Sequence, residues 1–141
     1  MMYAIIRVRG AVGTNPNAIK TLELLNLKRV NNLSVWNETP DKYKMFKKVE
    51  AYSTFGKIDD ATLKELLEKK GESLEGNFDA KKALADLKAG KTPKQANVRN
   101  CFRLSPPRKG YERGGTKKLY VHGGALGERN EKISDIIKRM L

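Results

Sequence analysis

The residues best equipped for chemistry in this sequence are Ser105-Pro106-Pro107-Arg108-Lys109-Gly110 and, three positions on, Arg113-Gly114-Gly115-Thr116-Lys117-Lys118. An arginine presents a planar fork that bridges two phosphate oxygens, and a lysine offers a compact charge. Glycine lets a backbone N–H come close to an anion, and proline stiffens the approach and lowers its ordering cost. Residues 91–130 hold 10 basic and 2 acidic side chains, a net +8, and six of the chain's 12 glycines fall between positions 110 and 127. A merely solvated loop accounts for the charge but not for its coincidence with glycine and proline. The stretch is therefore read as a surface for a polyanion.

Other cations extend this set. Arg7 and Arg9 alternate with Tyr3 and Ile5, as on one face of a strand, where they equally suit a half-wet sheet. Lys28 and Arg29 fall at the expected end of a helix, where positive charge also suits the dipole. Arg103 alternates with Phe102 and Leu104, and Arg129 closes the glycine-rich stretch. His122 stands alone beside Gly123, placed to stack on a base or to bond a phosphate. The candidate RNA contacts are thus Arg7, Arg9, Lys28, Arg29, Arg103, Arg108, Lys109, Arg113, Lys117, Lys118, His122 and Arg129. The lysines at 44, 47 and 48 read as the polar face of a helix.

Several chemistries are excluded or disfavoured. Gly123-Gly124-Ala125-Leu126-Gly127 lacks the GxGxxG spacing, and Gly115-Thr116-Lys117 is not the GK[ST] of a P-loop, so these glycines suit a turn or close packing on RNA. Cys101 is the sole cysteine and His122 the sole histidine, which leaves no cysteine-built metal site and no nucleophile with a base. No catalytic residue, metal or cofactor is expected. No apolar run reaches bilayer length and no secretory signal is evident, so a cytoplasmic protein is expected, with no membrane and no small-molecule substrate.

Across its 141 residues the chain carries 29 basic and 16 acidic side chains, a net +13. Charge of that size opposes folding by self-repulsion, and a polyanionic partner is the simplest reason to carry it. It is also lopsided: net +4 over residues 1–60, zero over 61–90, and +9 over 91–141.

The elements that must position these cations follow from pattern. Residues 3–9 read as a strand, with Ile6 and Val8 on one face. Asn15-Pro16 and Thr39-Pro40 are cap-then-proline helix starts, leading apolar stripes of Ala18, Leu22, Leu25 and of Tyr43, Phe46, Val49. Strands are expected at 30–36, ending in Val35-Trp36, and at 51–55, stopped by Gly56. The first 57 residues thus read β-α-β-α-β: a three-stranded antiparallel sheet with two helices on one face, its other face wet or bound to something. Two helices follow over 58–90. One is capped by Asp60, carries Leu63, Leu66 and Leu67, and is closed by Gly71; the other carries Ala80, Ala83, Leu84 and Leu87 and is closed by Gly90. A short strand is expected at 100–104, another at Leu119-Tyr120-Val121, and a last helix capped by Asn130 with Ile133, Ile136, Ile137, Met140 and Leu141 on one face. That helix tethers the basic stretch at its far end. The whole is an α+β chain read as one domain: core 1–57, helical extension 58–90, basic region 91–130, terminal helix 131–141.

The chain resembles the L-thirty family of large-subunit ribosomal proteins in its archaeal form, with the eukaryotic L-seven protein as a relative. The resemblance rests on the β-α-β-α-β pattern, on Phe55-Gly56-Lys57-Ile58, on Phe102-Arg103-Leu104-Ser105-Pro106-Pro107-Arg108, on Gly123-Gly124-Ala125-Leu126-Gly127 and on Ile136-Ile137-Lys138-Arg139-Met140. It implies a ferredoxin-like α+β core and a non-catalytic constituent of the large subunit. It also implies a protein held by ribosomal RNA among neighbouring ribosomal proteins, not a homo-oligomer. Arg103, Pro107, Arg108, Gly110 and the 123–127 turn fall on the family's motif; Lys109 departs from the glycine often seen there. The competing readings are a free or transiently ribosome-associated RNA-binding module, a small enzyme on the same sheet, and a membrane-surface protein. The last is disfavoured by a final helix poor in aromatic anchors.

Overall fold

The computed structural model describes residues 2–10, 13, 15–37 and 39–141. Strand β1 (Met2–Arg7) is followed by α1 (Pro16–Leu24), β2 (Asn32–Asn37), α2 (Pro40–Lys48) and β3 (Ser53–Ile58). Both cap-then-proline signals start helices as expected. Asn15 Oδ1 accepts from Asn17 N at 2.9 Å, and Thr39 Oγ1 accepts from Lys42 N at 3.3 Å. Next come α3 (Asp60–Lys70), α4 (Ala80–Lys88), the two-residue strands β4 (Phe102–Arg103) and β5 (Gly127–Glu128), and α5 (Ile133–Met140).

The sheet has five strands in the order β4-β2-β1-β3-β5 rather than three. β1 lies at its centre, antiparallel to β2 and β3, with Ala4 opposite both Val35 and Gly56. The two outer strands come from the basic 91–130 region. β4 runs antiparallel to β2, and β5 runs parallel to β3. Both free edges of the core sheet are thereby paired, which removes a hazard that exposed edges present.

Strand alternation divides the apolar residues between two cores. Tyr3, Ile5 and Phe55 face α1 and α2, where they meet Leu22, Leu25, Phe46 and Val49. Met2, Ala4, Ile6, Leu33 and Val35 face the other way. That second face is neither wet nor open: α3, α4 and α5 cover it with Leu63, Leu66, Leu67, Ala83, Leu87, Ile133, Ile136, Ile137 and Met140. Burying one such leucine or isoleucine contributes ~1.5–3 kcal/mol, so this face is as much a core as the first.

Four local readings are corrected. Gly56 does not stop β3 but lies inside it, because a Cβ there would collide with the Asn130 carbonyl. The α3 cap is Asp59, whose Oδ1 accepts from Thr62 N at 2.8 Å, not Asp60. Asn130 does not cap the last helix; it sits at φ +52, opening a 3₁₀ turn, Asn130–Lys132, that leads into α5. Residues Tyr120–His122 form a 3₁₀ turn, not a strand.

Candidate nucleic-acid interface

The 105–129 region is an ordered lobe. Its start is tied to α5: Ser105 N donates to Met140 O at 3.2 Å and Arg108 N to Arg139 O at 3.1 Å. The Arg139 guanidinium donates to Gly110 O at 3.0 Å and Tyr111 O at 3.2 Å. The Tyr111 hydroxyl donates to Asn31 Oδ1, and burial pushes its pKa up. Within the lobe, Gly114 N donates to Gly123 O (2.9 Å), Ala125 N to Gly115 O (3.0 Å) and Leu126 N to Lys118 O (3.0 Å). Gly124 packs so closely on Lys118 that no Cβ fits. Gly114 and Gly124 therefore serve first to let the lobe's own segments approach each other. Val8, Ala125 and Leu126 close a small apolar cluster beneath, with Tyr111 and Leu119 against it.

This scaffold sorts the candidate contacts into two kinds. Arg7 and Arg129 are interior cations, each only 3% exposed. Arg7 donates from Nε to Arg9 O (2.9 Å) and from Nη1 to Leu27 O (2.9 Å) and Lys28 O (3.0 Å), and its burial lowers its pKa. Arg129 donates to Thr54 Oγ1 (2.9 Å), Glu112 Oε1 (2.8 Å) and Ala125 O (3.2 Å), with its guanidinium 4.8 Å from the centre of the Tyr120 ring. Both spend guanidinium N–H groups on protein acceptors in the interior, and that burial favours a tethering role over the phosphate contact expected from the sequence. Arg9 is half-buried, leans on Tyr52 and donates to Ala51 O.

The other nine are exposed: Lys28, Arg29, Arg103, Arg108, Lys109, Arg113, Lys117, Lys118 and His122. Among the described residues none of them forms an ion pair with a carboxylate, whereas Lys69, Lys88, Lys91 and Arg99 each do. Lys109 holds φ +65, a left-handed conformation that glycine adopts more readily. Lys28 and Arg29 are not helix-end charges. α1 stops at Leu24, Asn26 turns the chain at φ +63, and the two cations stand in the connection to β2.

That connection faces β4. Phe102 turns into the α3–α5 core, so strand alternation sends Arg103 to the opposite face. There a groove of about 470 Å³ opens with Lys28, Arg29, Arg99 and Arg103 on its walls. Sequence reasoning missed Arg99 because 70 residues separate it from Arg29; only the β2–β4 pairing joins them. Its bond to Glu72, 3.3 Å long, is between exposed side chains and of the kind worth ~0–1 kcal/mol, so an anion readily competes.

Fold and surface together define a class: a small α+β protein whose sheet is covered on both faces and whose outer edges carry exposed, uncompensated cations. Its family follows from its relatives. The profile described as ribosomal protein L30p/L7e matches residues 3–52. "Large ribosomal subunit protein uL30" of Methanosphaera stadtmanae is 39% identical over 99% of this chain and all of its own length. The protein of that name from Methanococcus vannielii is 40% identical over the full length of both, and that from Nanoarchaeum equitans 41% over 99% of both. The chain belongs to the ribosomal protein L30p/L7e family, in agreement with the resemblance read from its motifs.

Proposed function

We propose that this chain is a structural constituent of the large ribosomal subunit, that it acts in the cytoplasm, and that it binds ribosomal RNA without catalysing a reaction. The observation that carries this reading is identity near 40% over essentially the whole length to archaeal proteins named for that subunit. The electrostatics support it. Phosphates attract exposed cations most where no carboxylate already compensates them, and the released counterions supply the free energy. The lobe's internal hydrogen bonds hold Arg108, Lys109, Arg113, Lys117 and Lys118 on a fixed scaffold, so little ordering entropy is lost on binding. No strand among the described residues shows an RNP-type aromatic pattern, which favours recognition of RNA shape and phosphates over a single-stranded sequence. In the particle the chain stands singly among neighbouring ribosomal proteins.

The test is the salt dependence of binding to large-subunit ribosomal RNA. A variant with Arg108, Arg113, Lys117 and Lys118 changed to alanine and Lys109 to glycine, which suits φ +65, loses five cations. Each phosphate contact contributes ~0.7–0.9 to the slope of log K against log salt, so the slope should shrink by about 3.5–4.5 if all five engage. An unchanged slope places the phosphate contacts elsewhere.

A further inference from the structure

We propose that the groove between the α1–β2 connection and β4 holds a single unpaired nucleotide of the bound RNA, its base inside and its flanking phosphates on the rim. This rests on the RNA-binding reading above and gives that surface a second, discriminating component. Phosphate binding alone requires cations, and Lys28, Arg29 and Arg103 supply them. The interior of the groove is different in kind. Asn26, Asn32 and Asn100 line it together with Leu74, a leucine left 50% exposed. Carboxamides offer donor and acceptor atoms side by side, as the edge of a nucleobase does.

Two of these amides, Asn100 and Asn32, are held by protein contacts before any ligand arrives. Asn100 Oδ1 accepts from Val35 N at 2.8 Å, which sets the orientation of its carboxamide and leaves Nδ2 as a donor with no partner among the described residues. Asn32 is only 8% exposed, and its Nδ2 rests on Cys101 Sγ at 3.7 Å. Leu74 is held by its backbone, whose N–H donates to Asn97 O, so its apolar side chain is a standing wall against which a base face can lie. A volume of about 470 Å³ lies within the ~300–1,000 Å³ of small-ligand sites, which suits one nucleoside and excludes a duplex. Paired bases have their Watson–Crick edges occupied, so only an extruded or bulged nucleotide can present that edge to these amides.

The experiment uses the full chain and five RNA hairpins of one stem sequence: one fully paired, and four with a single-nucleotide bulge of A, G, C or U. At least one bulged hairpin should bind about tenfold more tightly than the paired one, the scale of one well-placed base contact. Asn100→Asp keeps the oxygen that Val35 N needs and removes the donor; Leu74→Ala removes the wall. Each should bring the bulged-to-paired ratio close to one. The five-cation lobe variant should weaken all hairpins and leave the ratio intact. Equal binding of paired and bulged hairpins by the unmodified chain, within about twofold, overturns the groove assignment while leaving RNA binding standing. No measurable binding to any hairpin or to large-subunit ribosomal RNA overturns both.

Discussion

Replacing Arg129 with alanine should destabilise the fold strongly and leave the RNA salt slope unchanged. Three hydrogen bonds disappear. Ala125 O, fully buried, loses its donor, which costs ~1–3 kcal/mol. The guanidinium's contact with the Tyr120 ring contributes ~0.5–2 kcal/mol. Two effects limit the loss. Thr54 Oγ1 still donates to Gly127 O at 2.9 Å, and Glu112, whose side chain is 30% exposed, keeps Arg139 at 3.6 Å and can rehydrate. The sum is about 3 kcal/mol, at the low end of the ~3–5 kcal/mol measured when a buried ion pair loses one partner. Against a total stability of ~5–15 kcal/mol that is a large fraction. With a urea m-value of ~2 kcal/mol/M, the unfolding midpoint should fall by about 1.5 M. The assay is urea denaturation followed by circular dichroism, paired with RNA titration at several salt concentrations below the transition. A near-native midpoint with a flattened salt slope would refute the reasoning, because it would mean that the guanidinium faces RNA and not the protein interior.

Other expectations follow from neighbouring features. Arg7→Ala should cost ~2–3 kcal/mol by orphaning the buried Leu27 carbonyl and freeing the α1–β2 connection from the end of β1, read as a lowered urea midpoint with RNA affinity per folded molecule unchanged. Gly56→Ala should destabilise by ~1–3 kcal/mol, since the new methyl must push away the Asn130 carbonyl, and thermal melting should show it. Asp59 caps α3, and its hydrogen bond from Thr62, with a smaller opposing effect of burial, holds its carboxyl below the usual carboxylate range. Its folded pKa is depressed, so its stabilisation is present above the ordinary carboxylate value and is lost as pH falls through the lowered one. Asp59→Ala should therefore cost ~1 kcal/mol at neutral pH and show a smaller difference from the unmodified chain in strongly acidic buffer.

The β-α-β-α-β core was legible because its signals are local. Asn15-Pro16 and Thr39-Pro40 announce helices through their own side chains, and the alternation in β1 assigns its faces without knowledge of the partners. The stripes on α3 and α5 were equally plain, but nothing local said that they would cover the second face of the same sheet. The failures share one cause: residues whose meaning lies in a distant contact. Gly56 reads as a strand terminator until Asn130, 74 positions on, is seen against it. Arg7 and Arg129 carry the same charge as Arg103 and Arg108, and only burial separates an interior tether from an exposed cation. The sequence left the glycines of the lobe open between a turn and close packing on RNA, and distant contacts decide for two of them: Gly114 and Gly124 accommodate Gly123 and Lys118. Arg99 joined the basic groove only through strand pairing.

The most direct measurement of the central claim is the stoichiometry of this chain on isolated ribosomal subunits, by sedimentation through a sucrose gradient followed by quantitative mass spectrometry. The account predicts about one copy per large subunit, retained through moderate salt washes and released as salt rises steeply, since the proposed attachment is largely to phosphates. A chain found wholly in the soluble fraction, or on subunits only in substoichiometric amounts that vary with the translation cycle, would contradict it.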